Sequence, residues 1–488
     1  MPLLLDFQIE KTTLLVQENP VCRIVASNNA AGPLKVAAPG ASPEVPILRI
    51  TDLKTGIETF QHGHKHGGVP GIAYQEVAAG RTLECEFPLA SIARLTLPVE
   101  YEASAILPYE MGAKQAESKA IKLKIIPVTP RDLSIVNVQG GWASVVYGVS
   151  VNAASDPPQI VRHRFDLFTE GGVGDARPVA KAPLRATPVL SSPPNQSVAH
   201  AHWIAWREGG GVAFTHFEAG LGSLPTGTWA CPAPEFEIVA PLATEAVTDP
   251  ARRPDGAALI WMSDPARQTA GFQVITFTSD GKAMVGSSGP AEAQRPAWMM
   301  SHIQSKGRRL LTCVVAEGKG CKLLARPWPQ PGVPGEAKVL AKWPGTCHGG
   351  GALMIADDSI RGATLVRGPQ SDGAKLELVT WKMGPQGEFV ERARHKISWP
   401  FQSQVSRAVV RIGPSGKAVA LLAGEDGRWQ FFDDEAGLQP LPATVAATQL
   451  PLDIVFMSDA EPVLIMGRMS QGFDLMMPNG DPMPGHSG

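Results

Sequence analysis

The sequence predicts an all-β chain in which a two-sheet sandwich precedes a series of repeated β-meanders. Three observations predict it. Fifty glycines and 44 prolines interrupt short apolar runs along all 488 residues, the punctuation of a chain made of many short strands and turns. The apolar runs alternate or are β-branched, and the only stretch of helical composition is the short Glu110 to Lys122. Beyond the first quarter of the chain the runs recur at an interval of roughly 54 residues, which suits a unit of several strands.

The N-terminal region, residues 1–127, carries runs at Leu3 to Ile9, Val21 to Ala26, Ile47 to Thr51, Leu83 to Leu89, Arg94 to Val99 and Ile121 to Ile126. Strands of this length with no helix between them predict an antiparallel sandwich. Its architecture resembles the immunoglobulin-like domains, although the Cys, Trp, Cys signature of antibody domains is absent. Cys22 and Cys85 fall on strands of this region and could form an inter-sheet bridge if the protein were exported, while reduced thiols in a cytoplasm fit better.

Residues 128–480 repeat. Apolar runs begin units at Asp132 to Val138, Ala186 to Ser192, Ala243 to Asp249, Ala297 to Ile303, Gly351 to Asp357, Ser406 to Ile412 and Pro451 to Ser458. The sixth unit reads Arg407 to Ile412, turn, Ala418 to Ala423, turn, Trp429 to Phe432, and the third reads Ala258 to Met262, Phe272 to Phe277, the turn Ser279 to Lys282 and a short last strand. A meander of about four strands buries both faces only against neighbouring meanders, so the units must stack and close. In this pattern the chain resembles the broad superfamily of seven-bladed β-propellers, a WD40-like repeat architecture without the Trp-Asp dipeptide and without an Asp-box. The resemblance implies a fold and no site residues. The seventh unit lacks a fourth strand, and Lys122 to Val128 is a candidate to supply it, the rival reading being the last sandwich strand. The tail, 481–488, is short and rich in Pro and Gly, and is expected to be flexible.

Composition narrows the partners. Apolar residues make up 44% of the chain and charged residues 18%, and 44 Lys plus Arg stand against 46 Asp plus Glu. A net charge of −2 offers no field to draw in nucleic acid or an anionic membrane. The N-terminus lacks the pattern of a signal peptide, no apolar run reaches the roughly 18 to 20 residues of a membrane span, and six irregularly spaced cysteines suit a reducing cytoplasm.

Candidate sites are few. His62, His64 and His66 alternate on one face if extended, and imidazoles ligate zinc, copper or nickel. On a straight strand they would spread over roughly 13 Å, and the glycines around them favour a solvated loop. Cys347-His348 precedes three glycines, and as neighbours on a strand the pair would point to opposite faces, so a turn before an inner strand is the simpler reading. His200 and His202 share a face of one strand and His216 lies on the next, which allows a cross-strand approach. Asp357-Asp358, Glu425-Asp426 and Asp433-Asp434-Glu435 read as polar turns rather than a calcium loop. No P-loop or nucleophile elbow is present, and no cofactor is expected. The sequence therefore points to a non-catalytic scaffold subunit of an intracellular multiprotein complex. It would dock protein partners through propeller loops and the sandwich; the alternative is a propeller hydrolase or lyase with its site in the central channel.

Overall fold

A computed structural model describes residues 2–15, 18, 20–39, 45–62, 72–89, 92–93, 95, 99–126, 134–138, 145–152, 157–166, 173–181, 188–191, 201–218, 222–223, 227–241, 256–278, 281–291, 294–303, 309–327, 335–355, 357–368, 375–399, 404–424, 428–435, 437–438, 449–457, 461–468 and 472–479. The chain is all-β: every helix or strand among the described residues is a strand apart from one helical turn position at Leu89. It divides into two compact units, the first formed chiefly by Met1–Thr129 and the second by most of the remainder.

The first unit contains β1 (Leu3–Ile9), β2 (Thr13–Leu15), β3 (Val21–Asn28), β4 (Leu34–Ala37), β5 (Ile47–Asp52), β6 (Glu58–His62), β7 (Tyr74–Val77), β8 (Thr82–Pro88), β9 (Glu100–Tyr109), β10 (Lys114–Glu117) and β11 (Ile121–Ile126). One sheet has the order β1-β3-β8, and the other runs β2-β11-β9-β4-β7 with β5, β6 and β10 attached around β9. β1 packs on β9 and β10 of the larger sheet. Its alternation explains why: Leu3, Leu5 and Phe7 are buried while Leu4, Asp6 and Gln8 are exposed, the period of a strand with one face in a core.

Four expectations are corrected here. Glu110 to Lys122 is not helical: Glu110, Met111 and Gly112 take left-handed backbone angles, with φ of 50, 54 and 85°, and turn β9 into β10. Local turn geometry overrides helical composition. Cys22 and Cys85 belong to adjacent strands of one sheet, with Cys85 opposite Ile24, and both are free thiols. Leu95 and Val99 lie outside any strand, residues 94 and 96–98 being outside the described residues. Ile121–Ile126 pairs with β2 in parallel and β9 antiparallel, so it completes the first unit and is not the fourth strand of the last repeat.

The second unit holds seven successive sheets among its described residues. Sheet one is β12 (Ser134–Val138), β13 (Val145–Asn152), β14 (Gln159–Asp166) and β15 (Val173–Lys181). Sheet two is β16 (Val189–Ser191), β17 (Ala201–Glu208) and β18 (Gly211–Glu218), with β19 (Gly222–Ser223) and β20 (Gly227–Ala230) both paired to β18. Sheet three is β21 (Glu235–Pro241), β22 (Gly256–Asp264), β23 (Thr269–Phe277) and β24 (Ala283–Pro290), and sheet four is β25 (Trp298–Ile303), β26 (Arg309–Glu317), β27 (Gly320–Pro327) and β28 (Lys338–Pro344). Sheet five is β29 (Thr346–Met354), β30 (Ile360–Arg367), β31 (Leu376–Met383) and β32 (Phe389–Ile397), and sheet six is β33 (Val405–Ile412), β34 (Ala418–Gly424), β35 (Trp429–Asp433) and β36 (Gly437–Leu438). Sheet seven contains β37 (Gln449–Met457), β38 (Glu461–Arg468) and β39 (Gly472–Met476).

Two repeat positions differ from the sequence reading. The third sheet opens at Glu235, and 243–249 lies outside the described residues; the fifth opens at Thr346 rather than Gly351. The last strand of the third sheet, β24, is not short: it has eight residues against nine in β22 and β23.

Sheets two to six are packed on both faces, alternate residues serving different neighbours. In β34, Ala418, Ala420 and Leu422 join a core with sheet five, while Val419, Leu421 and Ala423 join a core with sheet seven. The strand therefore reads as an unbroken apolar run, which periodicity alone does not distinguish from other buried segments. The same division recurs in β26, where Leu311, Cys313 and Val315 face sheet three and Leu310 and Val314 face sheet five. Six such cores join the sheets consecutively from one to seven.

Candidate functional site

The first strand of each sheet lies beside the first strand of the next: β12 packs on β16, β16 on β21, β21 on β25, β25 on β29, β29 on β33 and β33 on β37. This row of inner strands is the propeller-type feature of the second unit, and it gathers side chains that are distant in sequence. Charged pairs and close-packed glycines shape four of these junctions.

Between sheets three and four, Glu237 on β21 pairs with Arg295, Nη2 to Oε1 2.5 Å. Burial raises the Glu237 carboxyl, opposed by the charges of Arg295 and Arg207, and the Arg207 guanidinium lies 4.6 Å from the Phe236 ring centre. Between sheets four and five, the Ala352 amide donates to the Met300 sulfur at 3.2 Å. The Trp298 indole leaves no room for a side chain at Gly350. Between sheets five and six, a Cβ on Gly349 would stand 3.1 Å from the Ala408 carbonyl oxygen, and one on Gly351 2.7 Å from that of Val410. The three glycines are thus strand residues, kept side-chain-free by close approach on both sides. Between sheets six and seven, Arg411 Nη2 donates to Asp453 Oδ2 at 2.6 Å and Arg407 Nη2 to the Leu452 carbonyl at 3.0 Å.

The Cys347-His348 pair sits inside β29, not in a turn, and His348 is the extra residue of a β-bulge between Cys347 and Gly349. The Cys347 thiol points to the Gly349 carbonyl at 3.5 Å and burial pushes it up to about 12. His348 is lowered by burial and by the Arg367 charge. A thiol held protonated beside a base held neutral is not an activated nucleophile.

The other sequence candidates separate. His62 stands opposite Ile47 at the end of β6; His64 and His66 lie outside the described residues, as does His200. His216 is opposite Trp203, ring centres 4.9 Å apart, while His202 is opposite Phe217, so the ladder does not pair the two histidines. Among the described residues no three His, Cys, Asp or Glu side chains gather as a metal site, and no helix is long and apolar enough to cross a membrane. Asp357 accepts from Ser359 and Lys382, and Asp433 from Lys417 at 2.6 Å. Both act as turn anchors.

No family model matches the chain, and no curated protein matches it in sequence. Among solved structures it is similar to BBS1N in complex with ARL6DN, at 11% identity and a TM-score of 0.38 over 72% of this chain and 94% of that one. It is similar to the α-L-arabinofuranosidase arb93a of Fusarium graminearum in complex with an iminosugar inhibitor, at 10% identity and a TM-score of 0.37 over 72% and 97%. It is also similar to a lectin of Aleuria aurantia, at 8% identity and a TM-score of 0.38 over 72% and 96%. At these values the likeness says nothing of ligand or activity.

Sequence reading missed the inner-strand clamps and one buried pair that resembles a nucleophile and its base. Ser150 Oγ and His163 Nε2 are 2.7 Å apart, yet both side chains are fully buried. Burial, with the Arg162 charge, lowers His163 to about 3. The pair holds two strands of sheet one together as a buried, hydrogen-bonded polar contact.

Proposed function

We propose that the second unit is a closed seven-bladed β-propeller, that the first is an immunoglobulin-like sandwich, and that the chain is a non-catalytic, cytoplasmic docking subunit for protein partners. The observation that carries docking is the β5–β6 hairpin. Leu53, Ile57 and Phe60 are 39, 62 and 58% exposed within eight residues of chain, the first two in the connection and Phe60 on β6, an edge strand with side chains uncovered on both faces. Apolar side chains concentrated in this way mark interaction surfaces more often than solvated ones. The inner strands support the non-catalytic reading, since Arg407, Arg411 and Asp453 are committed to bonds between sheets and Glu237 to Arg295.

Ring closure rests on burial at the two ends of the series. Val463 and Ile465 of β38 are 0% exposed and alternate with Leu464 and Met466, which face sheet six. On β13 and β14, Ser150, Asn152, Val161 and His163 are equally buried and alternate with the residues that face sheet two. Joining sheets seven and one buries both sets. Six free cysteines agree with a reducing compartment.

The deciding experiment is affinity capture of the full chain from its native host, with Ile57→Ser and Phe60→Ser combined. Tenfold or greater loss of a stoichiometric partner at unchanged melting temperature is expected. Turnover of a small substrate by the isolated protein, abolished by a single polar substitution in the inner-strand row, would instead establish a propeller enzyme.

A further inference from the structure

Cys321 and Cys347 belong to different sheets but to one buried cluster. Cys321 is the second residue of β27 in sheet four, opposite Trp343, and Cys347 packs against the same core from β29 of sheet five. The chain path explains the meeting. β28 leaves sheet four through the single residue Gly345, whose left-handed backbone (φ 95°) lets its amide donate to the Lys319 carbonyl at 3.0 Å. Each cysteine lies two residues beyond one end of that hydrogen bond, and β27 packs directly on β29. Both thiols are free.

We propose that Cys321 and Cys347 are a modification site: a pair of thiols that closes to a disulfide under a two-electron oxidant of low molecular mass and staples sheet four to sheet five. With hydrogen peroxide both S–H bonds and the O–O bond break, the S–S bond forms, and two waters leave. A disulfide requires a Cα separation of about 4.4–6.8 Å, and the contact of β27 with β29 and the shared core bring the two cysteines toward it. The thiols also feel each other: burial raises Cys347 first, and the neighbouring Cys321 raises it further, while burial holds Cys321 at about 11. At neutral pH both are therefore protonated, and the bridge forms slowly, its rate climbing roughly tenfold per pH unit.

The test treats the full-length protein with diamide between pH 7 and 10, quenches with N-ethylmaleimide in acid denaturant, and maps peptides without reduction. Diamide takes up the two hydrogens across its N=N bond as the S–S bond forms. The expected result is a Cys321–Cys347 peptide, a rate that rises with pH as above, and a melting midpoint raised by roughly 3–8 °C and restored by dithiothreitol. Cys321→Ser and Cys347→Ser should each abolish the shift, and Cys313→Ser, buried in the core with sheet three, should keep it. Complete alkylation of both thiols after diamide, or a cross-link confined to Cys22 and Cys85, overturns the proposal. The peptide map of the unsubstituted protein decides even where a serine variant does not fold.

Discussion

The carboxylate of Asp453, 3% exposed on the inner strand of sheet seven, meets the guanidinium of Arg411 on the inner strand of sheet six at 2.6 Å. Its second oxygen accepts the Ile454 amide at 2.7 Å. The pair ties two meanders that share no backbone ladder. Removing one partner of a buried pair leaves the other charge uncompensated, at about 3–5 kcal/mol when both are buried. The Arg411 side chain is 36% exposed, which lowers the expectation. Arg411→Ala should cost about 2–3 kcal/mol in urea unfolding, and Asp453→Asn less, because the amide still accepts from Ile454. Equal stability of Arg411→Ala and the parent would show the bond to be incidental.

The glycines of β29 give a sharper contrast. A methyl at Gly350 overlaps the Trp298 indole, and at Gly351 it would stand 2.7 Å from a backbone carbonyl; at Gly210 it meets nothing within 4 Å. Overpacking of this kind costs about 1–3 kcal/mol, whereas Gly to Ala at an unstrained open site changes stability by about 0.5 kcal/mol or less. Gly350→Ala and Gly351→Ala should lower the urea midpoint, and Gly210→Ala should not. A neutral Gly350→Ala would mean that sheets four and five are free to separate.

Stability should depend on pH through buried imidazoles. Burial lowers His302 to about 4 and His163 to about 3, against roughly 6.5 in the unfolded chain. Between these values the unfolded state binds more protons than the folded one, so stability falls with falling pH. The contribution is complete above about pH 6.5 and is lost progressively down to the folded values. Urea midpoints at pH 7.5, 6, 5 and 4 should decline, and His302→Gln, which keeps a polar group near Thr312, should decline less steeply. Parallel profiles for parent and variant would show that His302 takes no part.

Much of the architecture was legible in the sequence because propeller strands bury alternate residues on both sides. Runs such as Ala418 to Ala423 and Arg407 to Ile412 announce themselves against Gly and Pro turns. Gly349 to Gly351 misled the reading because glycine is ambiguous between a turn and a strand that needs close approach, and only the neighbouring Trp298 and β33 decide. The inner-strand clamps were hidden for another reason. Met300 and Ala352, Arg407 and Leu452, Arg411 and Asp453 are 52, 45 and 42 residues apart, one repeat in each case. A search for polar partners one period away would have found Arg411 and Asp453. Histidine register was beyond reach, since one residue of slip changes every cross-strand partner, those of His202 and His216 included.

The last prediction concerns a device repeated in sheets one and five. Gly148 stands opposite His163, and Ser150, two residues on, bonds its ring nitrogen. Gly362 stands opposite Trp381, and Thr364, two residues on, accepts the indole N–H at 3.3 Å. In sheet five the glycine on the second strand admits the ring from the third, as the overlap of a Gly362 Cβ with Trp381 shows, and in both sheets the hydroxyl two residues on meets the ring nitrogen. If the role is structural, Thr364→Val strands a buried donor and costs about 1–3 kcal/mol, Thr364→Ser costs little, and Ser150→Ala behaves like Thr364→Val. Sheet five has no imidazole at this place, so the equivalence also predicts that Ser150 is not a nucleophile. A fluorophosphonate probe should leave it unlabelled in the native protein, and stoichiometric labelling of Ser150 would show that the Ser150–His163 pair does chemistry.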